Sequence, residues 1–260
     1  MKRYLVGNLK MNPVSFEQAE GYLKAFGKEM SGKDLKGTET IVAPPSVYLE
    51  RFGRSLPVGV SLAAQDVFWE EEGSYTGQVS PCMLRDLRVG FVLVGHSERR
   101  LYAHETDAEV GWKVRASLKE DLRPILCVGE TAEDREQGGV VAAVSGQVTE
   151  AFRDVSSAEA EKVIIAYEPR WAIGTDRTPE TDEILEARAV IRQAISVLYG
   201  PETADRIPIL YGGSVKVPLL EKVCFAPSMD GVLVGRESLQ PHELAMMSEI
   251  IDAYRPDAQK

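Results

Sequence analysis

The sequence predicts a (β/α)8 barrel, in which eight parallel strands, each followed by a helix, form one domain over residues 1–260. Short apolar segments alternate eight times with longer amphipathic ones, as is typical of parallel strands joined by right-handed helical crossovers. Eight units in about 250 residues match the usual size of this barrel. An open doubly wound sheet is the alternative. Its glycine-rich dinucleotide turn is missing from the first turn, Gly7-Asn8-Leu9-Lys10.

The strands are predicted from short apolar runs that end in turn residues. The sixth run ends at Tyr167 and is apolar on both faces, as expected for a strand covered by helices. Pro169 ends it, because proline has no amide hydrogen for the ladder. The predicted strands are 4–7, 40–43, 60–64, 90–95, 124–128, 163–167, 207–211 and 231–234.

The helices are predicted from capping residues and from the 3.6-residue apolar period. The predicted N-caps are Ser15 (with Gln18 in a capping box), Ser46, Ser80, Thr106 (with Glu109 in a capping box) and Thr178 (followed by Pro179). The Ser15 helix is expected to reach about Met30, the Thr106 helix about Glu120, a helical stretch after Thr131 about Val155, and the last helix about Tyr254. Ile184, Ile191, Ile195 and Leu198 mark the predicted buried face of the helix after Thr178.

Composition limits the class of protein. The chain is 44% hydrophobic and 27% charged, which is typical of a globular protein. A net charge of −10 argues against a nucleic-acid or anionic-membrane partner but permits an anionic substrate at a local cationic site. Three cysteines without a CxxC pair fit a reducing cytoplasm. We expect no signal peptide, because the stretch Met1 to Asn8 has basic residues but no apolar h-region. We expect no membrane span, because no apolar run approaches about 20 residues.

Polar residues follow several of the predicted strands, and in a closed barrel these strand ends meet on one face, where such enzymes keep their active sites. Glu168 is held at a strand end by Pro169 and is followed by a loop, 170–175, which suggests a general base under a lid. An ion-paired structural glutamate is the alternative interpretation. The other strand-end residues are Asn8, Lys10, His96, Ser214 and Gly235. We expect His104 and His242 to be structural.

Glycine-rich turns follow the seventh and eighth strands. Gly212-Gly213-Ser214 and the turn after Val234 offer backbone amides, and loops seven and eight are the usual phosphate-binding place in a barrel. The sequence therefore predicts a phosphorylated ligand.

Five motifs in this order resemble the triosephosphate isomerase family over nearly the whole chain. They are Gly7-Asn8-Leu9-Lys10-Met11-Asn12, Val94-Gly95-His96-Ser97-Glu98-Arg99-Arg100, Cys127-Val128-Gly129-Glu130-Thr131, Ala166-Tyr167-Glu168-Pro169 with Trp171-Ala172-Ile173-Gly174-Thr175, and Tyr211-Gly212-Gly213-Ser214-Val215. The resemblance implies interconversion of a ketose and an aldose triose phosphate through an enediolate, without cofactor or metal.

The same resemblance implies a role for each catalytic candidate. Glu168 moves the proton between carbons, and His96 acts as a neutral electrophile; this family is itself the standard illustration of that pattern and of lid closure. Lys10 fixes charge beside the carbonyl oxygens, Asn8 hydrogen-bonds the substrate, and Glu98 orients Lys10.

The resemblance also implies a phosphate site and a homodimer. Backbone amides of Gly174, Ser214 and Gly235 are expected to hold the phosphate, with Gly174 arriving on the lid. A loop around Tyr75 and Thr76 is expected to insert into a second subunit.

The chain departs from the family pattern at Leu9, Gln78, Arg170, Asp176 and Arg236. Arg236 stands where the family has a second glycine against the phosphate. It points outward, adds a cation to the phosphate site, or marks a different pocket, and the sequence leaves these three readings open.

Three alternative functions therefore stay open. The first is an isomerase for a four-carbon substrate such as L-erythrulose 1-phosphate, because one extra carbon changes binding by only about 1–3 kcal/mol. The second is a non-enzymatic sensor of phosphorylated metabolites. The third is a Schiff-base aldolase using Lys10, which would need a desolvated lysine.

Overall fold

The structure, a computed structural model, describes residues 2–172 and 178–254. Within these residues eight parallel strands pair in sequence order and close into a barrel, which confirms the predicted fold class. The strands are β1 (Arg3–Asn8), β2 (Thr38–Ala43), β3 (Val60–Ala64), β4 (Phe91–Val94), β5 (Arg123–Val128), β6 (Ile164–Tyr167), β7 (Ile209–Gly213) and β8 (Gly231–Val234). The seventh strand begins two residues later than predicted, because Pro208 has no amide hydrogen for the ladder, and it ends two residues later, because Gly212 and Gly213 also pair with β8. The second strand begins two residues earlier than predicted.

Each strand buries both faces, and the alternation of side chains divides the core into two layers. In β1, for example, Leu5 belongs to the layer between strands and helices, while Val6 belongs to the barrel interior. The interior is filled mainly by small and medium apolar side chains, together with the larger aromatic side chains of Tyr4 and Phe91. The barrel is therefore a packed core, and only its mouth has room for a ligand.

The described helices form the outer layer. They are α1 (Phe16–Met30), α2 (Leu49–Ser55), α3 (Pro81–Asp86), α4 (Ser97–Tyr102), α5 (Asp107–Lys119), α6 (Ala132–Glu136), α7 (Val140–Ala151), α8 (Ser157–Ala160), α9 (Thr181–Tyr199), α10 (Pro201–Arg206) and α11 (Pro241–Ala253). In the described part of the chain, none of these helices has the length and apolar character that crossing a membrane requires.

Three of the predicted N-caps are confirmed by their hydrogen bonds. The hydroxyls of Ser15, Ser80 and Thr106 accept from backbone amides three residues later, at 3.2, 3.2 and 3.3 Å. The Glu109 carboxylate accepts a hydrogen bond from the Thr106 backbone amide at 2.8 Å, which completes the predicted capping box. Gln18 instead accepts from the amide of Val14 at 3.0 Å, so that box is displaced by one residue.

Two other predicted caps are wrong. Ser46 begins a 3₁₀ turn, Ser46–Tyr48, that leads into α2, and it caps neither element. Thr178 lies two residues before the N-cap of α9, which is Glu180, and the helix begins where Glu183 accepts from the Glu180 amide at 2.8 Å.

Two predictions about helix interiors are also wrong. Leu198 is 38% exposed, while Ile184, Ile191 and Ile195 are fully buried as predicted. The single helical stretch predicted after Thr131 is divided into α6 and α7, because Gly138 adopts a left-handed φ of 68° between them.

The capping box at α5 gives a stability prediction. Thr106→Ala removes the acceptor for one otherwise unpaired amide, so we expect the free energy of unfolding to fall by about 1 kcal/mol. Urea denaturation at a fixed protein concentration measures it. Ser145→Ala, which removes an exposed hydroxyl inside α7, is the control and should leave stability unchanged or slightly higher. Equal losses in both variants would contradict a specific role of the cap.

Candidate active site

Eight of the nine predicted site residues line one cavity of about 220 Å³ at the carboxyl end of the barrel. They are Asn8, Lys10, His96, Glu98, Glu168, Ser214, Gly235 and Arg236. The ninth, Gly174, lies outside the described residues. The convergence follows from the closed parallel sheet, which brings all strand ends to the same rim.

Glu168 is a buried carboxylate, with 3% of its surface exposed. Its backbone amide donates to Val128 O at 2.7 Å, which continues the β5–β6 ladder by one residue. Its Oε2 accepts from the backbone amide of Ser97 at 2.9 Å, and its Oε1 lies 3.3 Å from Nε2 of His96. The carboxylate is thus oriented by a helix N-terminus and an imidazole.

His96 is held as one tautomer by the turn that follows β4. The backbone amide of Glu98 donates to its Nδ1 at 3.2 Å, so Nδ1 is an acceptor and carries no proton. Nε2 therefore carries the hydrogen and presents it to Glu168 at 3.3 Å. The ring is the N-cap of α4, and its Nδ1 accepts from the first turn of that helix. A neutral imidazole with Nε2–H is the form this geometry selects.

Lys10 brings a positive charge to the same cavity. Its Nζ lies 2.7 Å from Oε1 of Glu98, and both side chains are about one-third exposed. Its backbone amide donates to Oδ1 of the buried Asn8 at 2.9 Å. This ion-paired, partly hydrated ammonium lacks the apolar surroundings that a Schiff-base lysine requires. The aldolase interpretation therefore loses its structural basis.

The turn after β8 borders Lys10 closely. A Cβ at Gly235 would lie 2.8 Å from Cε of Lys10, so a larger residue there would displace the lysine side chain from this position. Arg236 follows as an exposed side chain at the rim of the cavity, and Lys216 lines the same cavity. Of the three readings of Arg236, this placement supports an additional cation at the rim.

Residues at the beginning of the predicted lid are hydrogen-bonded to a buried carboxylate. The carboxylate of Glu130 is fully buried and accepts from the Tyr167 hydroxyl at 3.0 Å and from Nε1 of Trp171 at 2.6 Å. Burial and the neighbouring Glu130 raise the pKa of Tyr167, so its phenol stays a donor. Arg170 is partly buried, and this desolvation lowers its pKa. Asp176, the other predicted hinge departure, lies outside the described residues.

Sequence reasoning missed two contributors to the site. The backbone amide of Ser97 holds the Glu168 carboxylate, although the sequence marks Ser97 only as part of a motif. Lys216 adds a cation near Ser214. Its place two residues after the Ser214 turn was the available signal. His104 and His242 do not line the cavity, and their structural role stays a prediction.

A barrel mouth with a buried carboxylate, a neutral imidazole and an ion-paired lysine defines the class of (β/α)8-barrel enzymes that work by general acid–base chemistry. Within that class, the chain belongs to the triosephosphate isomerase family, because the statistical model of that family matches residues 3–253. The resemblance predicted from the motifs is thereby confirmed.

Individual relatives agree with this assignment. The chain is 43% identical over 240 residues to a triosephosphate isomerase of Citrifermentans bemidjiense, covering 92% of this chain and 94% of the relative. It is 40% identical over 238 residues to the triosephosphate isomerase of Lactiplantibacillus plantarum, covering 91% and 93%. It is also 40% identical over 252 residues to that of Streptomyces avermitilis, covering 95% and 97%.

The tautomer of His96 is open to direct measurement. We expect ¹⁵N NMR of the histidine ring at pH 7 to show a protonated Nε2 and an unprotonated Nδ1, because the Glu98 amide already occupies Nδ1. His242, which is exposed and lies 3.3 Å from Glu29, provides the internal comparison. Protonation of both ring nitrogens of His96 would contradict the assignment.

Proposed function

We propose that this protein interconverts dihydroxyacetone phosphate and D-glyceraldehyde 3-phosphate, as an aldose–ketose isomerase without cofactor or metal. The observation that carries the proposal is the buried Glu168–His96 pair, with Oε1 and Nε2 3.3 Å apart at the barrel mouth. A carboxylate that accepts a proton from carbon and an N–H that donates to an adjacent oxygen are the two groups an enediolate reaction needs.

The proton transfer follows from these two side chains. Glu168 takes the proton from the carbon beside the carbonyl, and the electron pair moves onto the carbonyl oxygen to give an enediolate. Nε2–H of His96 donates to that oxygen as its negative charge develops. The proton of the neighbouring hydroxyl passes to this oxygen by way of the His96 imidazole, and Glu168 returns its proton to the former carbonyl carbon as the new C=O bond forms at the other carbon. Both side chains are regenerated, and no atom is gained or lost.

Lys10 stabilises negative charge on the substrate, and Asn8 orients the substrate. The Lys10 ammonium is fixed by Glu98 at 2.7 Å, so it stays beside the cavity while negative charge develops on the substrate oxygens. Asn8 is buried and holds the backbone of Lys10 through its Oδ1, which leaves its amide nitrogen for a substrate hydroxyl.

The phosphate group is assigned to the β7 and β8 turns. Ser214 and Gly235 line the cavity with the cations Lys216 and Arg236, and backbone amides with cations suit a dianion. Gly174 remains part of this proposal as a third amide donor.

The triose is favoured over a four-carbon substrate and over a sensor function. The relatives described above are named triosephosphate isomerases. A protein that only bound the metabolite would have no use for an oriented, buried Glu168. L-Erythrulose 1-phosphate is the comparison substrate in the test below.

Initial rates on purified protein test the function and the base together. We expect the wild type to turn over D-glyceraldehyde 3-phosphate with kcat/KM far above that for L-erythrulose 1-phosphate. Glu168→Gln should lower the triose rate by about 10²–10⁴-fold or more, because the amide cannot accept the proton. Glu136→Gln, an exposed position in α6, is the matched control and should be unaffected. Unchanged turnover of Glu168→Gln would remove it as the base, and a higher tetrulose rate would reassign the substrate.

We further propose a homodimer that uses the loops after β1 to β4, including the predicted loop around Tyr75 and Thr76. These four strands are neighbours in the barrel, so their loops lie on one side of the mouth. These loops and the helix residues that adjoin them carry a set of large apolar side chains that are 44–85% exposed, as expected of an interaction surface. The set is Met11, Val14, Phe16, Val47, Tyr75, Met83, Leu101 and Tyr102.

Two valines make a matched test of this surface. Val47 is 80% exposed in the loop after β2, whereas Val58 is fully exposed before β3, at the opposite end of the barrel. We expect light scattering at micromolar protein to give twice the chain mass of 28.6 kDa for the wild type and for Val58→Asp. Val47→Asp should shift the mass toward the monomer, because it buries a charge in the interface. A monomeric wild type would refute the dimer.

A reducing cytoplasm remains the proposed location. All three cysteines, Cys82, Cys127 and Cys224, are free thiols, which suits a compartment without disulfides. The absence of a nucleic-acid partner stays a prediction from the net charge.

A further inference from the structure

Lys10 has an unusual backbone. Its φ is 52°, in the left-handed region that side chains other than glycine rarely adopt. A residue in that region persists only where its surroundings hold it, and such residues concentrate at functional sites. The proposed function needs the Lys10 ammonium at a fixed place, so the groups that hold this backbone bear on the reaction.

The side chain of Gln65 holds the carbonyl end of this backbone. Its Nε2 donates to Lys10 O at 2.8 Å and to Ala43 O at 2.8 Å, so both hydrogens of the amide are used. Ala43 O also accepts the backbone amide of Leu9 at 3.0 Å. Because Asn8 takes the Lys10 amide, the peptide groups on both sides of Lys10 are fixed.

The position of Gln65 is itself fixed by its neighbour. Gln65 directly follows β3, and Oδ1 and Oδ2 of Asp66 accept from Nζ of Lys113 at 2.7 Å and from Nη2 of Arg99 at 2.9 Å. Arg99 directly follows Glu98, which holds the Lys10 ammonium. Gln65 holds the carbonyl of Lys10, and Glu98 holds its ammonium. The residues that follow them in sequence, Asp66 and Arg99, form an ion pair, so the two contacts to Lys10 are linked.

We propose that Gln65 is a positioning residue for the reaction. It acts through Lys10, whose left-handed backbone it stabilises so that the ammonium stays at the cavity. This inference rests on the proposed function, and it assigns to the loop after β3 a part in the active site of the same subunit. In the described part of the chain, Gln65 is a side chain that donates directly to the Lys10 carbonyl.

A double-mutant cycle tests whether Gln65 acts through Lys10. Gln65→Met keeps the length of the side chain and removes both donors, and we expect it to lower kcat/KM by about 10²-fold, the usual effect of a displacement near 1 Å. In the Lys10→Met background the same change should have almost no further effect, because the group being positioned is already gone. An equal loss in both backgrounds, or no loss in the wild-type background, would overturn the proposal.

Controls separate positioning from folding. Gln137→Met changes an exposed glutamine in the turn after α6 and should leave activity and melting temperature unchanged. If Gln65→Met does not fold, Gln65→Asn keeps the amide but is too short to reach both carbonyls, and it enters the cycle instead.

A measurement that does not depend on enzymatic activity separates this inference from the proposed function. The ¹³Cα shift of Lys10 reports its backbone conformation, and Gln65→Met should move it toward the value of an ordinary extended or helical residue. If the wild type turned over neither sugar phosphate, the proposed function would fail while the shift still tested the contact. A Lys10 shift that stays unchanged in Gln65→Met would overturn the positioning role.

Discussion

The ladder between β1 and β8 is the constraint on which the rest of the structure depends. The two strands pair from Tyr4↔Gly231 to Gly7↔Val234 and close the barrel between the two ends of the chain. A Cβ at Gly231 would lie 1.9 Å from Tyr4 O, so a larger residue would force the strands apart. This closure also brings the Lys10 loop against the turn that begins at Gly235. One set of backbone hydrogen bonds thus creates both the core and the cationic side of the site.

The positive and negative side chains at the mouth of the barrel have different partners. The Lys10 ammonium is paired with Glu98, whereas the Glu168 carboxylate meets a backbone amide and a neutral imidazole. In the proposed reaction Glu168 must keep its affinity for a proton, and a cation bonded directly to it would favour the ionised form. The Lys10 ammonium is bonded to Glu98 instead, and Glu168 contacts the imidazole of His96.

Much of this arrangement was predictable from the sequence, because local rules and topology determine it. Strand–helix alternation gave the barrel, and the barrel places Asn8, His96 and Glu168 at one rim. What the sequence could not give depends on contacts between distant residues. Leu198 fits the helical period yet is 38% exposed, because burial depends on tertiary neighbours that the helical period does not encode. Nothing in Leu9-Lys10 signals a left-handed φ, since a tertiary contact from Gln65 stabilises it.

Leu9, which departs from the family pattern, affects how Lys10 is held in place. Its side chain is fully buried, and its amide is bonded to Ala43 O, so the residue before Lys10 is fixed by packing and by the backbone. An aliphatic side chain at this place has no ring with which to brace the lysine stem. The orientation of Lys10 therefore depends on polar contacts, namely Asn8 and Gln65 at its peptide groups and Glu98 at its ammonium. Burial raises the pKa of Asp66, as expected where a carboxylate is desolvated. The ion pairs of Asp66 with Lys113 and Arg99 oppose that desolvation, so the residue next to Gln65 is itself held by two cations.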